Sequence, residues 1–342
     1  MNLKKLYNKS MLKILIKIIE VFTIEYIPRL PVSLRKPFYQ LILPLRKVKD
    51  KLALNGPKNE FTFEDRLEFA KISRQGLNNS GSHLLKFDET VKVEKLENTP
   101  VDIYKFTPNE SVEDTFGIYF HGGGYYAGSI ISHKHFISQL SAGTNVPFYF
   151  FEYRLSPEHV YPAAHDDAKA AVEYINNLEN GKNSIWAGES AGGGLLTGLV
   201  VDDSFNLKPD KLVLLSPWLD LSDRNRDRSY LKNKDILLAL DGMHFVGEYY
   251  AGEFEATDPI LSPVFADINN FPETLIQVCS NELLYNDAIE FTKKLRETGT
   301  KYEIQVWDDL WHAWHFFPIN ESYEATQKIV SFITADSYSS PK

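Results

Sequence analysis

A chain of 342 residues, 43% of them hydrophobic, is long enough to bury one large core and carry an appended cap. Its single cysteine, Cys279, excludes an intramolecular disulfide, and nine scattered histidines without zinc-ligand spacing argue against a metal site. The net charge of −9 is uneven: residues 1–51 hold 12 Lys/Arg against 3 Asp/Glu, leaving 25 against 43 elsewhere, and so acidic a body argues against nucleic acid as the main partner.

Met11 to Ile27 is apolar but interrupted by Lys13, Lys17, Glu20 and Glu25. A spanning helix needs about 20 predominantly apolar residues, so this stretch is not expected to cross a membrane. It also lacks the uncharged core and cleavage site of a signal peptide. On a helix, Lys9, Lys13, Lys17 and Glu20 fall in a narrow polar stripe beside a wide apolar face. Two readings follow: a cap helix buried against the body of the protein, or an amphipathic helix lying on an anionic membrane surface. Prolines 28, 31, 37 and 44 keep any helices after it short, and Phe63 to Ser73 is predicted as a further helix.

From Val91 the period changes. Val91–Leu96 and Val101–Phe106 alternate, as half-buried antiparallel strands do. Continuous apolar runs follow at Phe116–Phe120, Val146–Phe151, Ile185–Ala187, Leu212–Leu215 and Leu275–Val278, with helical stretches between them. That is the pattern of a parallel sheet covered on both faces. Tyr302–Trp307 is predicted as the last strand and Tyr323–Ile333 as a closing helix. Between Trp218 and Pro272 the rhythm lapses into charged and aromatic sequence, read as a cap insertion of about 219–265. Residues 1–85 are read as the N-terminal cap segment and 86–342 as the catalytic domain.

Two motifs sit at strand ends. Gly188-Glu189-Ser190-Ala191-Gly192, between a buried strand and a helix, has the form of a nucleophile elbow, which strains its central residue and lifts the hydroxyl clear of the sheet. His121-Gly122-Gly123-Gly124 follows the third strand and offers backbone N–H groups to an oxyanion. Gly122, Gly123 and Ala191 are the expected donors, with His121 bracing the loop.

HGGGYYAGS (His121–Ser129), YRLSPEHVYPAAHDD (Tyr153–Asp167) and GESAGGG (Gly188–Gly194) together resemble the hormone-sensitive-lipase family of α/β-hydrolases, also called the HGGG or bacterial lipase/esterase family. The likeness runs from about Val101 to about Phe316 and departs at Glu189, where the family usually has Asp. It implies an α/β-hydrolase fold: a mostly parallel central sheet, helices on both faces and a helical cap. Tyr125, Tyr126 and Trp218 occupy family-like positions for an acyl or alcohol pocket, although core packing accounts for each equally well.

A serine hydroxyl needs a general base, and the base needs an acid to set its tautomer. In this fold the chain order is Ser, acid, His. Among His244, His312 and His315, His312 lies just beyond the last strand and matches the family's histidine; His315 is the packed alternative. Glu282, in the loop after Leu275–Val278, matches the acid position. Asp287 is expected to cap the next helix, and Asp258 is a weaker acid because it precedes that strand. Tyr153, Arg154, Glu158 and His159 are expected to form a structural network, and Asp166 and Asp167 to start a helix.

The expected activity is carboxylester hydrolysis through an acyl-enzyme, with no cofactor, on the short- to medium-chain esters the resemblance implies. An amidase or deacetylase on the same triad is the nearer alternative. A non-catalytic receptor is the other, since the plant gibberellin receptors share the family but lack the histidine. The location is expected to be cytoplasmic, with contact at a membrane surface through the basic N-terminal helix and a homodimer both left open.

Overall fold

The computed structural model describes residues 26–44, 62–81, 84–222, 228–232 and 234–335. The segment read as a cap or membrane-surface helix therefore lies, up to residue 25, outside the described residues. Eight strands carry the fold: β1 (Val91–Lys95), β2 (Ile103–Pro108), β3 (Thr115–Phe120), β4 (Phe148–Phe151), β5 (Asn183–Glu189), β6 (Lys211–Leu215), β7 (Glu273–Cys279) and β8 (Tyr302–Trp307). They form one sheet in the order β1-β2-β4-β3-β5-β6-β7-β8. β2 runs antiparallel to both β1 and β4, and all later pairs are parallel.

Burial follows position in this sheet. Every residue of β4 is buried, whereas in the edge strand β1 only Val91 is, which is why one reads as a continuous apolar run and the other as an alternation. The register aligns Phe120 with Gly188 and Glu189 with Leu215, so the carboxyl ends of the central strands finish at one level. Loops leaving that level can converge.

Helices cover both faces. Phe136, Ile137 and Leu140 of α3 (Ile130–Thr144) pack with Ile329, Phe332 and Ile333 of α8 (Asn320–Thr334) on one side. The other side is closed by α4 (Ala163–Leu178), α5 (Ala191–Val201) and α7 (Tyr285–Glu297), through residues such as Val172, Leu195 and Phe291. Before the sheet come α1 (Val32–Ile42) and α2 (Phe63–Gly81). The helix expected over Phe63–Ser73 runs on to Gly81. Its polar end has weak propensity, but tertiary bonds secure it: the Ser129 hydroxyl donates to Asn78 at 2.6 Å, and His135 Nδ1 lies 2.8 Å from the Gly81 carbonyl.

The insertion after β6 contains α6 (Leu240–Ala251), whose Met243 and Tyr250 join the core beneath it. α1 lies against the segment following β8. Its Tyr39 and Leu43 are fully buried, and the Tyr39 ring sits 5.1 Å from that of Phe317 and 5.9 Å from Trp311. Polar ties reinforce this seat, with Arg35 donating to the Pro318 carbonyl at 2.9 Å and Gln40 to that of Asp309 at 3.1 Å. Among the described residues no helix is long and apolar enough to cross a membrane.

Candidate active site

Ser190 stands between β5 and α5 with φ 54° and ψ −122°, a region sparsely populated by residues with a Cβ. The bend is tight enough to exclude side chains beside it. A Cβ on Gly192 would strike the Phe120 and His121 backbone, and one on Gly188 would come within 2.7 Å of Leu196. The Ser190 N–H is tied to the Leu215 carbonyl at 3.0 Å, which anchors the bend to β6.

The Ser190 hydroxyl reaches His312 Nε2 at 2.9 Å, and His312 Nδ1–H donates to Glu282 Oε2 at 2.7 Å. Glu282 is fully buried, and its other oxygen accepts the Cys279 N–H at 3.0 Å. Burial alone would lower the His312 pKa. The Glu282 carboxylate, helped by the charges of Asp235 and Glu189, outweighs it and holds the ring above its ordinary value. The arrangement can draw a proton from Ser190 and stabilise the resulting imidazolium.

The alternative acids and bases go elsewhere. His315 is buried, donates to Gln277 Oε1 at 2.8 Å, and is pushed down to about 3 by burial and by His312. His244 lies on α6 in the insertion. Asp258 accepts the Ile260 N–H at 2.9 Å in a local turn. Asp287 stands in the first turn of α7, but its carboxylate does not cap that helix. It accepts the N–H groups of Leu219 and Asp220 at 3.1 and 3.0 Å and pairs with buried Arg228, so it ties the root of the insertion to the sheet. Asp166 does open α4, while Asp167 turns to Arg154, whose N–H it accepts at 2.8 Å. The expected network of Tyr153, Arg154, Glu158 and His159 does not form as one: Tyr153 bonds the His121 carbonyl at 2.7 Å, Arg154 takes Asp167, Glu158 takes Arg74 of α2, and the His159 N–H donates to the Leu155 carbonyl at 3.0 Å.

The glycine loop requires a correction. The Gly122 N–H is not available to an oxyanion, because it donates to Glu189 Oε1 at 2.6 Å. Gly123 and Gly124 adopt φ 110° and 63°, and both face the cavity beside Ser190. Among the described residues no acceptor takes the N–H of Gly123, Gly124 or Ala191. The N–H groups left free beside Ser190 among the described residues are therefore those of Gly123, Gly124 and Ala191. His121 is held neutral, its pKa lowered to about 3 by burial and by His133. It stacks on Tyr153 at 4.0 Å, and its Nδ1 lies 2.9 Å from the Gly122 carbonyl.

Beneath this loop, Glu189 gathers three donors: Gly122 N–H, His133 Nε2 at 2.8 Å and the Tyr119 hydroxyl at 2.8 Å. Burial opposes protonation of His133, but the Glu189 carboxylate outweighs it and raises the ring's pKa. None of this network was foreseen. The one signal for it was Glu in place of Asp before the serine, whose extra methylene lengthens the arm.

A cavity of about 240 Å³ opens beside Ser190. Phe69, Leu77 and Leu84 line one side, and Leu237, Leu238, Met243 and Val246 of the insertion line the other. Tyr126 and Trp218 also line it, as expected of pocket residues, but Tyr125 does not. With φ 61° its side chain turns under the loop, fully buried and stacked on Tyr250 at 3.8 Å. Among the described residues no group of three or more His, Cys, Asp or Glu could hold a metal ion.

The alpha/beta hydrolase fold family matches residues 117–316. An acetyl-hydrolase of Streptomyces hygroscopicus is 33% identical over 205 residues, which is 58% of this chain and 68% of that protein. An esterase of Acinetobacter venetianus is 28% identical, covering 64% of this chain and 74% of its own length. Among solved structures, a hormone-sensitive lipase from a metagenome library superposes with a TM-score of 0.74 at 27% identity, covering 88% of this chain and 97% of that one.

Proposed function

The chain belongs to the alpha/beta hydrolase fold family and is a carboxylester hydrolase, and we propose that it acts by nucleophilic catalysis at Ser190. The Ser190 oxygen attacks the ester carbonyl as His312 takes its proton, with Glu282 holding the ring in the required tautomer. Gly123, Gly124 and Ala191 donate to the oxyanion as the carbonyl becomes tetrahedral. His312 then returns the proton to the departing alcohol, and water, deprotonated by the same ring, releases the acid.

One observation carries this reading: the unbroken run from Glu282 through His312 to the Ser190 hydroxyl, at 2.7 and 2.9 Å, beside three N–H groups without an acceptor among the described residues. A receptor would have no use for a base in contact with the serine. The cavity's apolar walls support short- to medium-chain acyl esters. Each methylene buried there contributes about 0.8 kcal/mol until the pocket is full.

A fluorophosphonate probe and a p-nitrophenyl ester series test both parts. Labelling and turnover in the wild type, with neither in Ser190→Ala, are expected, and kcat/KM should peak below long acyl chains. An unlabelled wild type, or undiminished turnover in Ser190→Ala, would overturn the nucleophile assignment.

A further inference from the structure

Asp235 lies in the insertion, 1% exposed, and no Lys or Arg among the described residues pairs with it. Both of its oxygens accept backbone N–H groups: Oδ1 those of Leu237 and Leu238, Oδ2 that of Leu283, each at 2.8 Å. Burial outweighs these bonds and raises its pKa above the ordinary carboxyl value, yet three N–H donors and no acceptor suit a carboxylate rather than a carboxylic acid. The partners it joins are telling. Leu283 directly follows Glu282, and Leu237 and Leu238 line the cavity. A single side chain thus ties the pocket wall to the loop that carries the acid.

Its charge also reaches the base. The His312 ring touches Glu282 from the loop after β7 and feels the charge of two further carboxylates, Asp235 from the insertion and Glu189 from the end of β5. Two nearby groups stay neutral, His315 held at about 3 and the Cys279 thiol pushed up to about 12, chiefly by burial. Among the described residues no Lys or Arg pairs with any of the three, and Glu189 alone shares its charge with a second ring, His133.

We propose that Asp235 is a positioning residue for this reaction: it fixes the Glu282 loop against the pocket wall, and its charge favours the imidazolium that His312 becomes on accepting the Ser190 proton. This rests on the Ser190–His312–Glu282 reading. Asp235 touches neither substrate nor reacting atom; it acts through the two groups that do.

The test is the pH dependence of p-nitrophenyl butyrate hydrolysis by the full-length wild type, Asp235→Asn and Asp235→Glu, with folding checked by circular dichroism. Asn keeps an acceptor for the cavity-wall N–H groups but loses the charge and opposes Leu283 with an amide. It should lower kcat about tenfold while KM stays within about twofold. With one negative charge removed, the ring remains neutral to lower pH, so the acid limb of kcat/KM should move down by about one unit. Asp235→Glu keeps the charge and misplaces the loop, so kcat should fall with the limb where the wild type has it. An acid limb unmoved in Asp235→Asn overturns the proposal, whatever happens to kcat. If Asp235→Asn does not fold, Asp235→Glu decides: reduced kcat with a wild-type limb upholds the proposal, and wild-type kcat overturns it. Failure of the triad itself would show separately, as a wild type that neither turns over ester nor labels.

Discussion

Replacing Glu189 with alanine tests what fixes the oxyanion loop. The substitution leaves Ser190, His312 and Glu282 in place and removes the acceptor for three buried donors: Gly122 N–H at 2.6 Å, and His133 Nε2 and the Tyr119 hydroxyl at 2.8 Å each. An unsatisfied buried donor costs about 1–3 kcal/mol. Partial relaxation brings the three together to about 3–6 kcal/mol, a fall in melting temperature of about 5–10 °C for a chain of this size. The rate effect has a ceiling in the ~10²–10³ lost when an oxyanion donor is deleted outright. A loop that is slack rather than absent should lose about 10–100-fold in kcat with KM little changed. Glu189→Gln is the control, since its carbonyl can still accept the Gly122 N–H while its amide donates to the Tyr119 oxygen. Steady-state kinetics on p-nitrophenyl butyrate and a thermal melt read both quantities. A Glu189→Ala enzyme with wild-type kcat and melting temperature would refute the reasoning.

His312→Ala should lower kcat by about 10⁴ or more, whereas His315→Ala, which only unpairs Gln277, should keep kcat within about tenfold and lose about 1–3 kcal/mol of stability; kinetics with urea unfolding distinguish them. Wild-type kcat/KM should fall on the acid side with a midpoint above 6.5. His312 must be neutral to act, and its raised pKa keeps it protonated to higher pH than a free imidazole, so a midpoint below 6.5 would contradict the electrostatics. Arg228→Leu removes the buried cation that pairs with Asp287 and should cost about 3–5 kcal/mol in a urea titration.

The sheet was legible because burial on both faces writes itself as unbroken apolar runs, and β3 to β7 fall where those runs do. The positions of Ser190, Glu282 and His312 were legible because the fold forces all three onto loops at one sheet edge in a fixed chain order. Neighbour choices were not. Whether Gly122 or Gly124 presents its N–H depends on successive φ angles and on how far the Glu189 side chain reaches. Likewise, Tyr125 and Tyr126 are adjacent and chemically alike, and only the positive φ at Tyr125 sends one inward and leaves the other on the cavity. Asp235 sits in an insertion without periodicity, and its partners are backbone amides, which no side-chain pattern announces. Asp287 looked like a helix cap because position alone suggests one; the backbone N–H groups it accepts lie 67 and 68 residues earlier.

The seating of α1 against Trp311 and Phe317 bears on how this enzyme can be shortened. Residues 117–316 include Ser190, Glu282 and His312, yet a polypeptide cut to that span would strip away Tyr39, Leu43 and the Arg35 tether, along with α8. The turn bearing the imidazole would then have water behind it instead of packed rings. The proposed base is thus steadied by α1 and α8, elements outside the span in which its chemistry is spelled out.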